Sequence, residues 1–231
     1  MTSQEILSKL KELGNEENLK GMAKYGINTS SALGVNVQVL REIAAETGKD
    51  NDLAVELWDT GIHEAKILAT IIAEPEKFDE GTLDKWANDI NSWDLCDQFT
   101  NNLVFHTEFA MGKILEWCVA DEQFVKRAGF ATMANYALKS PDLREKDVEG
   151  FFGLIMNECG DKRNYVRKAV SWALRNIGKR TLHYNRKAVK LAKQMKDEPI
   201  RPAKETAGEA IKELQKPDLL KKLKDKQEEE K

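Results

Sequence analysis

Apolar residues recur along this chain at intervals of three and four rather than two, and β-branched alternation is nearly absent. That pattern predicts helices almost throughout. The periodicity places them over 3–13, 16–24, 36–48, 50–59, 61–73, 79–89, 93–103, 107–119, 121–138, 145–159, 162–178, 181–195, 201–215 and 217–228. Pro75, Pro141, Pro199, Pro202 and Pro217 fall at or near the breaks, where a missing N–H does least harm. Gly14, Gly48, Gly61, Gly160 and Gly178 stand at helix ends, where left-handed caps are expected. Asp142, in the turn Ser140-Pro141-Asp142, is expected to cap the helix after it. The glycine-punctuated stretch from Met22 to Val35 reads as an ordered loop leading into the helix that carries Leu40 and Arg41.

Two of these helices carry an unusual outer face. In the stretch Ser92-Trp93-Asp94-Leu95-Cys96-Asp97, a turn of about 100° per residue gathers Leu95, Cys96, Phe99 and Leu103 on one side. Trp93 and Asp97, four apart, share another face well away from it. In the later helix Val166, Ala169, Val170, Ala173 and Ile177 form the apolar stripe, and Lys168, Trp172, Arg175 and Lys179 line up roughly opposite. An indole among cations, away from the core side, suits a flat, electron-poor, phosphate-bearing ligand. The plainer reading of any single Trp is packing, and Trp58, Trp86 and Trp117, which have no such neighbours, are assigned to it.

Short helices joined by short turns suggest stacked pairs, and the chain repeats itself. Phe124-Val125-Lys126-Arg127-Ala128-Gly129 matches Tyr165-Val166-Arg167-Lys168-Ala169-Val170 at an offset of 41. Segments around His63–Ile67 and Ala203–Ala207 show a similar second-helix pattern. A period near 40 built of helix pairs is that of HEAT or armadillo repeats. The expected fold is therefore all-α: a curved α-solenoid of HEAT-like helical repeats with a basic concave face. It is expected to form a single domain over 1–231, with 218–231 a partly frayed tail. The offset places Arg127 at the position of Lys168, on the exposed face, and Ala131 at that of Trp172, where a small residue would leave space beside an aromatic.

Charge sharpens this picture. The net charge is −3, yet Glu42–Glu122 holds 19 acids and 5 bases while Asp161–Lys193 holds 11 bases and 1 acid. The basic segment points to nucleic acid or an acidic partner, against the blander reading of a solvated helix pair. The acidic half is more acidic than a DNA-binding surface favours. With no long apolar run and no signal pattern, neither a membrane span nor secretion is expected. Cys96, Cys118 and Cys159 are odd in number and widely spaced, so they read as small core residues of a protein in a reducing cytoplasm. His63, His106 and His183 are isolated, and no metal-ligand spacing appears.

Four stretches, in order and spacing, resemble the DNA alkylation repair family of HEAT-like-repeat glycosylases, the AlkD-like proteins. They are Leu33-Gly34-Val35 with Leu40-Arg41, Ser92–Asp97, Val125-Lys126-Arg127 and Ser171-Trp172-Ala173-Leu174-Arg175. The resemblance implies removal of N3- or N7-alkylated purines from double-stranded DNA. It implies that Asp97 is the catalytic carboxylate, that Trp93 and Trp172 are paired cleft aromatics, and that Arg127 stands beside the lesion. Lys168, Arg175 and Lys179 are then expected to hold the DNA backbone. The expected protein is a monomer that needs no metal and no other cofactor.

The residue types suit that chemistry. Alkylation at N3 or N7 makes the purine cationic and a good leaving group, and its departure leaves an oxocarbenium-like sugar. A carboxylate near the anomeric carbon stabilises that cation and orients water. The competing reading is a non-catalytic HEAT-repeat module that binds nucleic acid or an acidic protein through the same basic face. A small-molecule enzyme is disfavoured, because there is no phosphate-cradling glycine loop and no nucleophile–base pair.

Overall fold

Six of the fourteen α-helices among the described residues start on a polar side chain that satisfies an otherwise unpaired amide. Thr2, Asn15, Asn36, Asp50, Asp79 and Thr181 each accept a hydrogen bond from a backbone N–H two or three residues on. Losing such a cap costs about 1 kcal/mol. The computed structural model describes residues 1–229, and among these there is no strand. The helices group into two compact units, Met1–Phe109 and Ala110–Lys231.

The first unit contains α1 (Ser3–Glu12), α2 (Glu16–Lys24), α3 (Val37–Thr47), α4 (Asn51–Asp59), α5 (His63–Ile72), α6 (Glu80–Asn88) and α7 (Trp93–Asn102). Helix α5 packs against α3, α4 and α7, so it is buried on most sides. Its Glu64, 1% exposed, accepts the backbone N–H groups of Leu33, Gly34 and Val35 at 2.8, 2.7 and 3.3 Å. That carboxylate is why the glycine-punctuated loop is ordered. Gly34 has φ +80°, and a Cβ there would lie 2.2 Å from the Asn15 carbonyl oxygen. Trp58 and Trp86 stack with centroids 4.0 Å apart inside this unit, as their assignment to packing requires.

The second unit contains α8 (Ala110–Trp117), α9 (Gln123–Lys139), α10 (Glu145–Glu158), α11 (Asn164–Gly178), α12 (Leu182–Asp197), α13 (Arg201–Leu214) and α14 (Pro217–Glu229). Helix α11 packs along α9 on one side and α13 on the other, while α8, α10 and α12 pair with α9, α11 and α13. The apolar stripe read from α11 is fully buried: Val166, Ala169, Val170, Ala173 and Ile177 are all 0% exposed. Buried amides lock the layers, Asn176 donating to the Ala134 carbonyl and Asn185 to those of Gly178 and Leu214. The three cysteines are free and buried.

All fourteen expected helices are present, with ends shifted by a few residues. Three local expectations fail. Asp142 does not cap α10; its N–H donates to Ser140 Oγ within the turn, and Asp147 instead accepts the N–H of Arg144. Gly48 and Gly61 do have positive φ, but Gly14, Gly160 and Gly178 do not. Gly178 is needed for closeness: a Cβ there would sit 2.7 Å from Leu214 and 3.1 Å from Ala188. Ala131 leaves no open space, being fully buried in α9. The last two residues of the tail expected to fray lie outside the described residues, and all the rest of it forms α14.

Candidate functional site

In the first unit, α7 turns Leu95, Cys96 and Phe99 into the interior, each at most 1% exposed. The geometry of one helical turn then puts Trp93 and Asp97 on a common face, and both line one cavity of about 710 Å³. The indole is fixed there: Trp93 Nε1 donates to the Tyr25 carbonyl oxygen at 3.0 Å. Met22 and Tyr25 line the far wall, so the loosely patterned Met22–Tyr25 region does contribute to the site.

The ionisable groups lining this cavity are Glu17, His63, Asp94 and Asp97, with no Lys or Arg. Three carboxylates beside an indole make a surface that favours a cation. His63 and Asp94 were not legible as a pair in the sequence. His63 Nε2 donates to Asp94 Oδ2 at 2.8 Å, and the His63 side chain is 2% exposed. Burial pushes the Asp94 carboxyl up, but the hydrogen bond and charge of His63, with smaller help from Ser92 and the Leu95 amide, outweigh it and hold Asp94 below the usual carboxylate range. The available signal was a separation of 31 residues, shared by His63 with Asp94 and by Trp58 with Asp89. The offset of 41 belongs to the other unit.

In the second unit Trp172 is half-buried, packed against the edge of the core. Lys168 is exposed, and among the described residues it makes no ion pair. Arg175 and Lys179 do not present free charge. Both pair with Glu213 of α13. Burial pushes the Glu213 carboxyl up, yet these two cations outweigh it and hold it low. The expectation that Arg127 shares the exposed face of Lys168 does not hold. Arg127 is 5% exposed and donates from Nη1 to the Tyr165 carbonyl at 2.8 Å. The reason is that α9 is covered nearly all round, so an outward position on α11 has no outward counterpart on α9. The basic segment is partly neutralised elsewhere as well: Arg167 pairs with Glu205 and Glu209, and Lys187 with Glu145 and Glu149. No group of three or more His, Cys, Asp or Glu side chains among the described residues could hold a metal ion, and none of their helices is long and apolar enough to cross a membrane.

Stacked helical pairs with an indole–carboxylate face define a helical-repeat protein of the HEAT-like class. The family model described as DNA alkylation repair enzyme matches residues 6–214, and the chain belongs to that family. A solved structure, described as a new family of proteins related to the HEAT-like repeat DNA glycosylases with affinity for branched DNA structures, has the same fold. It superposes with a TM-score of 0.79 over 92% of this chain and 94% of its own, at 20% identity. No curated protein matches the chain.

Proposed function

We propose that this protein is a DNA glycosylase that excises cationic N3- and N7-alkylated purines from damaged double-stranded DNA, acting as a monomer. The observation that carries the reading is the cavity lined by Trp93 and Asp97, whose charged lining is carboxylate rather than Lys or Arg. The reaction creates positive charge twice, on the alkylated base and then on the sugar, and such a lining favours both. Asp97 stabilises the oxocarbenium-like sugar and orients the attacking water. Trp93 contacts the cation, and Trp172 offers an aromatic face to the DNA. Lys168 holds a backbone phosphate. Arg175 and Lys179 join it only when Glu213 releases them. Arg127 acts as a positioning residue, holding the start of α11 through the Tyr165 carbonyl.

The test is release of 7-methylguanine or 3-methyladenine from methylated duplex by the purified full chain. Base release is expected, and Asp97→Asn should lower its rate by about 100-fold or more while DNA affinity changes by less than about twofold. An unaltered rate would remove Asp97 from the reaction. A second reading, a non-catalytic DNA-binding module, is favoured by the affinity for branched DNA ascribed to the neighbour of the same fold. Tight binding of a four-way junction with no base released from any methylated substrate would establish that reading instead.

A further inference from the structure

Gln98 follows Asp97 on α7 and lines the same cavity. Its amide is held in one direction from behind. Thr70 of α5, 0% exposed, donates its hydroxyl proton to the Ile67 carbonyl at 2.7 Å, which leaves the hydroxyl oxygen as an acceptor. Asn102 Nδ2 donates to that oxygen at 3.0 Å. The second hydrogen of the same nitrogen meets Gln98 Oε1, also at 3.0 Å. Asn102 is kept from turning over, because Asn101 Nδ2 donates to its Oδ1 at 3.2 Å and a turned amide would set that oxygen against the Thr70 oxygen. Gln98 therefore keeps its oxygen toward Asn102 and its Nε2 hydrogens away from it. Among the described residues no acceptor takes those hydrogens.

What those hydrogens meet follows from the rest of the lining. Glu17, Asp94 and Asp97 repel a phosphate and draw a cation. Trp93 Nε1 and Asn18 Nδ2 already donate to the Tyr25 and Gly34 carbonyls. A ligand that suits carboxylates, an indole and an unspent amide donor together is a flat cation that also carries a neutral acceptor. Alkylation at N7 makes a purine cationic and removes its N7 acceptor. On that edge guanine then keeps the O6 carbonyl, an acceptor, while adenine shows the N6 amine, a donor. Asp97 and Gln98 are consecutive on α7 and diverge by about 100°. One can therefore face the sugar while the other faces the far edge of the same base.

We propose that Gln98 is a specificity-determining residue that donates from Nε2 to the O6 carbonyl of a 7-alkylated guanine, with Asn102 as the positioning residue that keeps its amide the right way round. This rests on the excision reading and deepens it, by selecting guanine over adenine among cationic purines. An alkylated adenine turns amine hydrogens toward the same donor, and two donors make no bond. One hydrogen bond of this kind supplies a discrimination of about three- to tenfold.

The experiment uses the full chain and reads the ratio of kcat/KM for 7-methylguanine to that for 3-methyladenine, both released from methylated duplex. Wild type is compared with Q98E and N102D. Q98E replaces the donor by an acceptor of the same size, so the ratio should fall at least about fivefold. N102D gives Gln98 a carboxylate to donate to, which turns Oε1 toward the cavity. The ratio should then fall in the same direction, although Asn102 does not itself line the cavity. A purely structural role would lower both rates together and leave the ratio where it was. A ratio within about twofold of wild type in Q98E overturns the role of Gln98, and the same result in N102D overturns that of Asn102. Binding is measured in parallel by fluorescence anisotropy on duplexes carrying 2′-fluoro-7-methylguanosine or 2′-fluoro-7-methyladenosine, which share the charge and resist excision. Wild type should bind the guanine duplex about threefold or more tightly, and Q98E should lose that preference. If wild type releases no base, the excision reading fails and this preference decides alone. Equal affinity of wild type for the two duplexes then overturns the proposal.

Discussion

Glu213 is one carboxylate serving two cations, Arg175 and Lys179, which reach it from successive turns of α11. Both cations are partly exposed, so releasing them leaves no charge stranded in the interior. Glu213→Gln is therefore expected to strengthen duplex DNA binding by several-fold at low salt, with a salt slope steeper by about 1 to 2 units. Unchanged affinity in that variant would show that neither cation meets phosphate. His63 and Asp94 make a second prediction at this scale. The Asp94 carboxyl lies below its usual range in the folded chain, so its contribution to stability is full above the unfolded value and fades as pH falls through the folded one. The stability gap between wild type and Asp94→Asn in urea denaturation should stay constant at neutral pH and narrow as the pH falls past the ordinary carboxyl value of 3.8 and below. A gap independent of pH would mean that the His63 contact does not stabilise the ionised form.

Individual helices were legible because their determinants are local. Periodicity sets the buried stripe, and caps such as Asn15, Asp50 and Thr181 sit in the sequence directly before each helix. What pairs with what was less legible. Several cross-helix bonds link residues 31 or 32 apart in the first unit, as between Thr70 and Asn102, beside other separations such as that of Lys9 and Glu46. In the second several link residues 38 to 43 apart, as between Ser171 and Glu209 or Ala137 and Arg180, beside shorter ones such as Lys126 with Glu158. A single period found by self-comparison therefore reads one unit and misses the other. Glycines separate the two kinds of constraint. A Cβ on Gly129 would lie 2.5 Å from the Cys118 amide nitrogen, where α9 crosses the end of α8. Gly208 on α13 is exposed, with nothing within 4 Å of such a Cβ. Gly129→Ala should cost about 1–3 kcal/mol, and Gly208→Ala should add about 0.5–1 kcal/mol. Thermal or chemical denaturation checks both, and similar effects of the two substitutions would contradict this packing.

For the molecule as a whole, charge counted along the chain overstates what the basic segment presents. Helices α10 and α13 bring Glu145, Glu149, Glu205, Glu209 and Glu213 onto its cations. Lys162, Lys168, Arg186, Lys190 and Lys193 remain exposed and without ion pairs among the described residues. If all eleven bases of the segment met phosphates, the salt slope would approach about −10; these five and half-buried Arg180, which also makes no ion pair among the described residues, set a magnitude of about 5. Anisotropy titrations from low to moderate salt measure it, and a slope near −10 would mean that DNA strips these acids away.

By itself the sequence determined the all-helical repeat, the buried stripe of α11, the shared face of Trp93 and Asp97, and the packing roles of Trp58 and Trp86. Each follows from spacing within one helix or from the volume of one side chain. Only the tertiary structure decided that Arg127 is buried, that Arg175 and Lys179 are already paired, and that His63 meets Asp94. Burial and charge pairing depend on which helices become neighbours, and that is set by helix lengths and close approaches such as those at Gly129 and Gly178, which a periodicity does not encode.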